Sequence, residues 1–254
     1  MFGFLKKNKD KPRAIVFVDY ENWYITLDNF YKMRPDIRGW HDELFREYNV
    51  EDVLFFADFS NPALRSEISK IREVSNTIIE TQSSRSYTQK DFTDFIMLDH
   101  IYQKALSSDQ TDVFILVTGD GHFSSVVNFL RTKCRKKVIV YGADAATSNQ
   151  LKKCANEFVS IPTERDICAH RKQLIISHIA QLYAEKSCPR ILFGVTVNAV
   201  SKKYNVEPEK VKDLVHELVK EGALQSNKQY FKDGKFGKIL NLNQEKAKEL
   251  GYKV

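Results

Sequence analysis

The chain has 254 residues, of which 43% are apolar and 28% charged, with 39 Lys and Arg against 33 Asp and Glu. That length admits two domains with ordinary globular cores, and no apolar run approaches the roughly 20 residues of a membrane-spanning helix. The four cysteines (Cys134, Cys154, Cys168, Cys188) are widely spaced with no CxxC. This excludes a zinc ribbon or a disulfide framework and fits a reducing cytoplasm.

Charge is unevenly placed. Residues 1–13 carry 5 basic and 1 acidic residue, net +4; residues 14–162 carry 17 and 21, net −4; residues 163–254 carry 17 and 11, net +6. An acidic body between basic ends suggests that the middle collects cations and the ends collect an anion, nucleic acid or a membrane surface.

In chain order, residues 1–13 (MFGFLKKNKDKPR) do not read as a signal peptide, because the apolar stretch is short and precedes the charges. They read as a basic, disordered leader. Strand-like runs follow at 14–19, 52–59, 77–82, 112–118 and 137–142, with a short last one at 158–161. Helical patterns lie between them, at about 22–33, 40–48, 63–75, 91–107, 122–133 and 147–155. Strands separated by helices of this length predict βαβ units, and continuous apolar strands predict a mostly parallel sheet covered on both faces. Pro162 closes this domain, 14–162. In 163–254 the pattern changes to helices at 166–185, 193–204 and 208–221. A hairpin follows, with its turn at Asp233–Gly234. Three helices then a hairpin is the order of a winged helix.

Three motifs carry chemistry. AIVFVDYEN places Asp19 at the end of the first strand with Asn22 three residues on. DVFILVTGDGHF places Thr118 and Asp120 after another apolar strand, with Gly119 and Gly121 permitting close backbone approach and His122 opening a helix. In a parallel sheet, ligands bind beyond the carboxyl ends of the strands where strand order reverses, so two carboxylates delivered there suggest a hard divalent cation. A capping role for Asp19 or Asn22 is the simpler alternative. The third motif is the helix KDFTDFIMLDHIY, with Asp91, Asp94 and Asp99. Asp91 suits the helix dipole, whereas Asp94 sits among Phe95, Ile96 and Leu98 and must face something polar. The preceding SSRSYTQK adds hydroxyls, Arg85 and Lys90 as a phosphate approach.

Joined together, Asp19-x-x-Asn22, the Lys-plus-Asp helix and Thr118-Gly119-Asp120-Gly121 resemble the NYN domain, of the LabA-like branch of the PIN-like nuclease superfamily, over about 14–161. The resemblance implies a PIN-like, Rossmann-like α/β fold with strand order 3-2-1-4-5, and metal-dependent endoribonuclease chemistry. Asp19, Asn22, Asp94 and Asp120 would be the catalytic residues. Asp19, Asp94 and Asp120 would bind Mg2+ or Mn2+, and Asn22 would hold a water or a phosphate oxygen. Asp91, Asp99, Thr118, His122 and Ser148 are accessory candidates. The sequence departs from the family in two places: His122 stands where the family usually has a second Asp, and Asp94 and Asp99 are one residue closer than usual. His122 could ligate a metal or hydrogen-bond a phosphate.

The C-terminal part resembles winged-helix and LOTUS-type RNA-binding modules at the level of fold. Lys202, Lys203, Lys210, Lys212, Lys228, Lys232, Lys235 and Lys238 would meet phosphates, with Arg85 and Lys90 joining them from the first domain. Tyr230, Phe231 and Phe236 either stack on bases or fill the small core under the wing. The reading is a cytoplasmic ribonuclease acting on single-stranded RNA. The alternative is a catalytically weak RNA-binding adaptor. A haloacid-dehalogenase-type phosphatase wants Asp-x-Asp, and Asp19-Tyr20-Glu21 fails it.

Overall fold

The computed structural model describes residues 11–81, 92–107, 110–185, 190–230 and 236–254. The chain forms two compact units, Met1–Ile161 and Pro162–Val254. Of the sequence candidates, Arg85, Lys90, Asp91, Phe231, Lys232, Lys235, Cys188, the Asp233–Gly234 turn and residues 1–10 of the leader lie outside the described residues.

The first unit runs β1 (Arg13–Asp19), α1 (Tyr20–Tyr31), α2 (Ile37–Glu47), β2 (Asn49–Ala57), α3 (Pro62–Arg65), α4 (Ile68–Arg72), β3 (Ile78–Glu80), α5 (Phe92–Ser107), β4 (Val113–Val117), α6 (Ser124–Thr132), β5 (Lys137–Gly142), α7 (Asn149–Cys154) and β6 (Glu157–Ser160). All strand pairings are parallel, in the order β3-β2-β1-β4-β5-β6. The expected order holds, with β6 added beyond β5 through Ile139↔Glu157 to Gly142↔Ser160.

Alternation along the strands sends side chains to two cores. Val16, Val18, Phe55, Ile115 and Tyr141 pack with Trp23, Trp40 and Leu44 of α1 and α2 on one face. Phe17, Phe56, Phe114 and Leu116 pack with Met97, Ile101 and Val127 of α5 and α6 on the other. Both faces being dry explains the unbroken apolar strands. The stretch expected to be one helix at 63–75 breaks between Arg65 and Ile68. There Glu67 is buried, accepting a hydrogen bond from the Tyr20 hydroxyl at 3.1 Å and from Lys70. A buried carboxylate must be paired, and the chain bends to bring it inward.

The second unit runs α8 (Glu164–Ala184), β7 (Ile191–Leu192), α9 (Phe193–Tyr204), α10 (Pro208–Lys220), β8 (Leu224–Tyr230), β9 (Phe236–Leu242) and α11 (Gln244–Glu249). Thr163 and Asp166 form a reciprocal capping box at the start of α8. The strands pair antiparallel in the order β7-β9-β8. Ile175, Ile179, Val200, Leu214, Leu218 and Leu240 make its core. Phe236 does not fill it: Phe236 is 65% exposed and Tyr230 is 78% exposed, their rings 6.3 Å apart. The two face each other as the last pair of the β8–β9 ladder.

Candidate functional site

Strand order reverses between β1 and β4, and their C-terminal ends open one crevice. Val18 of β1 is in register with Val117 of β4, so the following residues, Asp19 and Thr118, leave the sheet side by side. A short chain of hydrogen bonds fixes them. Asp19 Oδ1 accepts from the Asn22 N–H at 3.0 Å, and Asp19 Oδ2 accepts from the Thr118 hydroxyl at 3.3 Å. Thr118 Oγ1 in turn accepts from the Asp120 N–H at 3.2 Å. Asn22 Oδ1 accepts from the Gly119 N–H at 3.0 Å, which ties α1 to the β4 loop. Asp120 Oδ1 accepts from the His122 N–H at 2.8 Å and caps a 3-10 turn, Gly121–Phe123. The capping alternative for Asp19 is therefore true as far as it goes: Asp19 does cap α1. It is also 4% exposed, a costly place for a carboxylate whose only task is a cap.

Asp94, in the first turn of α5, comes to the same crevice. Asp94, Asp120 and His122 each offer a ligand atom, and these atoms lie within 4.8 Å of one another. His122 Nδ1 is 3.3 Å from Asp120 Oδ1 and 3.7 Å from Asp94 Oδ2. Asp19 is not part of that group but feels it. Burial first, and then the charge of Asp94, push the Asp19 carboxyl up from 3.8 to about 7. Glu21, which sequence reasoning passed over, belongs to the same acidic cleft. Burial, followed by the charges of Asp58 and Asp94, raises its carboxyl too, against the opposing hydrogen bond it accepts from the Asp58 N–H. The signal available for Glu21 was its place in the first turn after Asp19, where an acid also suits the helix dipole.

The remaining candidates separate. Ser148 stands against the turn: a Cβ on Gly121 would lie 2.9 Å from its hydroxyl, and the Ser148 N–H donates to the Gly119 carbonyl at 2.9 Å. Asp99 is exposed on α5 and accepts from the Gln103 amide at 2.7 Å, outside the group. The SSRSYTQK hydroxyls lie outside the described residues; Thr93, beside Asp94, is hydrogen-bonded with Thr81 at 2.6 Å. In the second unit Lys202, Lys203 and Lys228 are exposed, while Lys210 and Lys212 are paired with Glu207 and Glu209.

Two carboxylates and an imidazole within one ion's reach, backed by a buried acid whose charge is opposed by its neighbour's, is a donor set that fits a divalent cation. Such an ion would offset the burial and the Asp94 charge that together raise Asp19.

The NYN domain family model matches residues 13–162. A crystal structure of a protein of unknown function, VPA0982 from Vibrio parahaemolyticus, is similar at 28% identity over 59% of this chain and 93% of its own, with a TM-score of 0.54. No curated protein matches. No helix among the described residues is long and apolar enough to cross a membrane.

Proposed function

The chain belongs to the NYN domain family, and from that premise we propose that it is a metal-dependent ribonuclease hydrolysing phosphodiester bonds in single-stranded RNA. The observation that carries the proposal is the convergence of Asp94 and Asp120 on one point beside the buried Asp19. Mg2+ or Mn2+ held by Asp94 and Asp120, with Asp19 behind them, would neutralise phosphate charge and make water a better nucleophile. The chain's own residues do the positioning. Thr118 holds Asp19 and the Asp120 backbone in one arrangement, and Asn22 keeps the Gly119 loop against α1. Asn22 Oδ1 is engaged there, which leaves its amide N–H groups to meet a phosphate oxygen. The family's LabA-like branch is part of the same reading.

We read the second unit as a winged-helix module that grips RNA, with Lys202, Lys203 and Lys228 on phosphates. Its element order and its three-stranded antiparallel sheet support this. The proposal places the protein in the cytoplasm, on the spacing of its cysteines.

Gel-resolved cleavage of a labelled single-stranded RNA by the full chain, with Mg2+, Mn2+ or EDTA, tests it. Cleavage with metal and none with EDTA is the expected result. Cleavage that survives EDTA overturns the mechanism. RNA binding without cleavage under any metal would favour the adaptor.

A further inference from the structure

We propose that His122 is a direct metal ligand and that it biases this centre toward a first-row cation that accepts nitrogen, represented by Mn2+, over Mg2+. The inference rests on the reading of the Asp94–Asp120 crevice as a metal centre, and not on RNA cleavage.

The spacing is the first ground. Around one ion with bonds of about 2.1 Å, adjacent ligands in an octahedron lie about 3.0 Å apart and opposite ones about 4.2 Å. The two His122 distances, 3.3 Å to Asp120 and 3.7 Å to Asp94, fall between those values. A small inward adjustment of three side chains would bring all three onto one ion.

The second ground is how the imidazole is carried. Asp120 accepts the His122 N–H and so anchors the turn that holds the ring. One of the two carboxylates therefore sets the position of the third donor. The side chain of His122 is 71% exposed, so packing alone does not explain why its Nδ1 comes within 4 Å of both carboxylates.

The third ground is donor chemistry. Mg2+ demands near-octahedral oxygen ligands and gives up its waters reluctantly. Carboxylates suit Mg2+ and Mn2+ alike, whereas imidazole suits later first-row ions such as Fe2+, Ni2+ and Zn2+ best; Mn2+, the first-row ion nearest to Mg2+ in its oxygen chemistry, takes an imidazole nitrogen more readily than Mg2+ does. Two carboxylates plus an imidazole is thus a set that Mn2+ satisfies in full and Mg2+ only in part. His122 becomes the residue that decides between them.

The test uses the untagged, metal-free full chain, titrated with Mn2+ and separately with Mg2+ by calorimetry, and pulsed EPR of the Mn2+ complex to detect coupling to 14N. The expected result is Mn2+ binding at least about tenfold tighter than Mg2+, with 14N coupling. His122→Ala should remove the coupling and weaken Mn2+ by about tenfold or more, while Mg2+ changes by less than about threefold. His122→Asp should lack the coupling yet recover affinity, with the preference for Mn2+ narrowed. Wild-type Mn2+ complex without 14N coupling overturns the proposal. So does an equal loss of both ions in His122→Ala, or no cation binding at all. RNA cleavage is read separately, in the assay given above. Nitrogen-coupled Mn2+ without cleavage there would sustain this inference and sink the ribonuclease reading; cleavage with a nitrogen-free centre would do the reverse.

Discussion

Asp19→Asn should make the metal-free protein more stable at pH 8 and less fit to bind metal. In the folded protein the Asp19 carboxyl titrates at about 7, against 3.8 for an ordinary aspartate. Between those values the folded chain holds a proton that the unfolded chain has released. Stability therefore falls as pH rises from about 4 to about 7, and the full penalty persists above that. The rise from 3.8 to about 7, at about 1.4 kcal/mol for each tenfold change in proton affinity, sets a ceiling of about 4 kcal/mol. Asn removes the buried charge but weakens the hydrogen bonds from Asn22 and Thr118, each worth about 1 kcal/mol or somewhat more to a charged acceptor. The net gain at pH 8 should be about 1–2 kcal/mol, or roughly 2–8 °C for a unit of this size. Both tryptophans of the chain, Trp23 and Trp40, are buried in the first unit's core, so their fluorescence reports its melting alone. Melts in EDTA at pH 4.5, 6 and 8 should show the variant's advantage growing with pH, and vanishing or reversing at 4.5. Added Mn2+ should raise the wild-type midpoint more than the variant's. A variant less stable than wild type at pH 8, or a difference independent of pH, would refute the assignment of strain to the Asp19 charge.

Asp120→Asn should leave the Trp-reported melt within about 1 kcal/mol of wild type and lower metal-dependent RNA cleavage by at least about 100-fold, since even partners outside the ligand shell cost 10–100-fold. Gly142→Ala should destabilise the first unit by about 2 kcal/mol in the same melts, because its Cβ would lie 2.5 Å from the Thr147 hydroxyl and 3.0 Å from the Thr118 carbonyl. Lys202→Gln with Lys203→Gln, both exposed, should weaken single-stranded RNA binding and reduce the log–log salt slope by about 1.4, at about 0.7 per phosphate contact. An unchanged slope would leave these two lysines without a phosphate role.

The sheet was legible because its strands are written as unbroken apolar runs. A run such as AIVFVD, ending in an acid, marks both a buried parallel strand and the crevice end of it. Asp19 and Asp120 could therefore be paired from sequence, given a strand order that sets β1 beside β4. What periodicity could not give was any property that depends on which side chain comes home to which. Glu67 looks like a helix-surface acid in PALRSEISKIR, yet it turns inward to meet Tyr20, 47 residues earlier. Phe236 looks like core by alternation, yet it is mostly exposed at the end of its ladder. Alternation predicts only that a side chain faces one side of a strand, not that anything lies there.

The same limit applies inside the site, and there it has a chemical consequence. Asp94 and Asp99 are two acids on one helix; among the described residues Asp94 reaches the crevice, as its apolar neighbours suggested, while Asp99 accepts from Gln103. Asp94 then acts on residues far from it in the chain: its charge helps hold Asp19 and Glu21 toward their protonated forms. Burial first, and the charge of Asp94 in addition, raise the proton affinity of Asp19 and Glu21, so without a cation these two acids hold protons as a relief from both. A bound cation offers the same relief while keeping the carboxylates ionised. Proton and metal therefore compete for one electrostatic vacancy, and metal affinity should rise with pH across the range in which Asp19 titrates, around 7. Calorimetric titration of Mn2+ at pH 6 and pH 8, in buffers of different ionisation enthalpy, should show tighter binding at pH 8 and net proton release at pH 6. Asp19→Asn should release fewer protons at pH 6. Proton release identical in wild type and variant would mean that Asp19 does not share the vacancy.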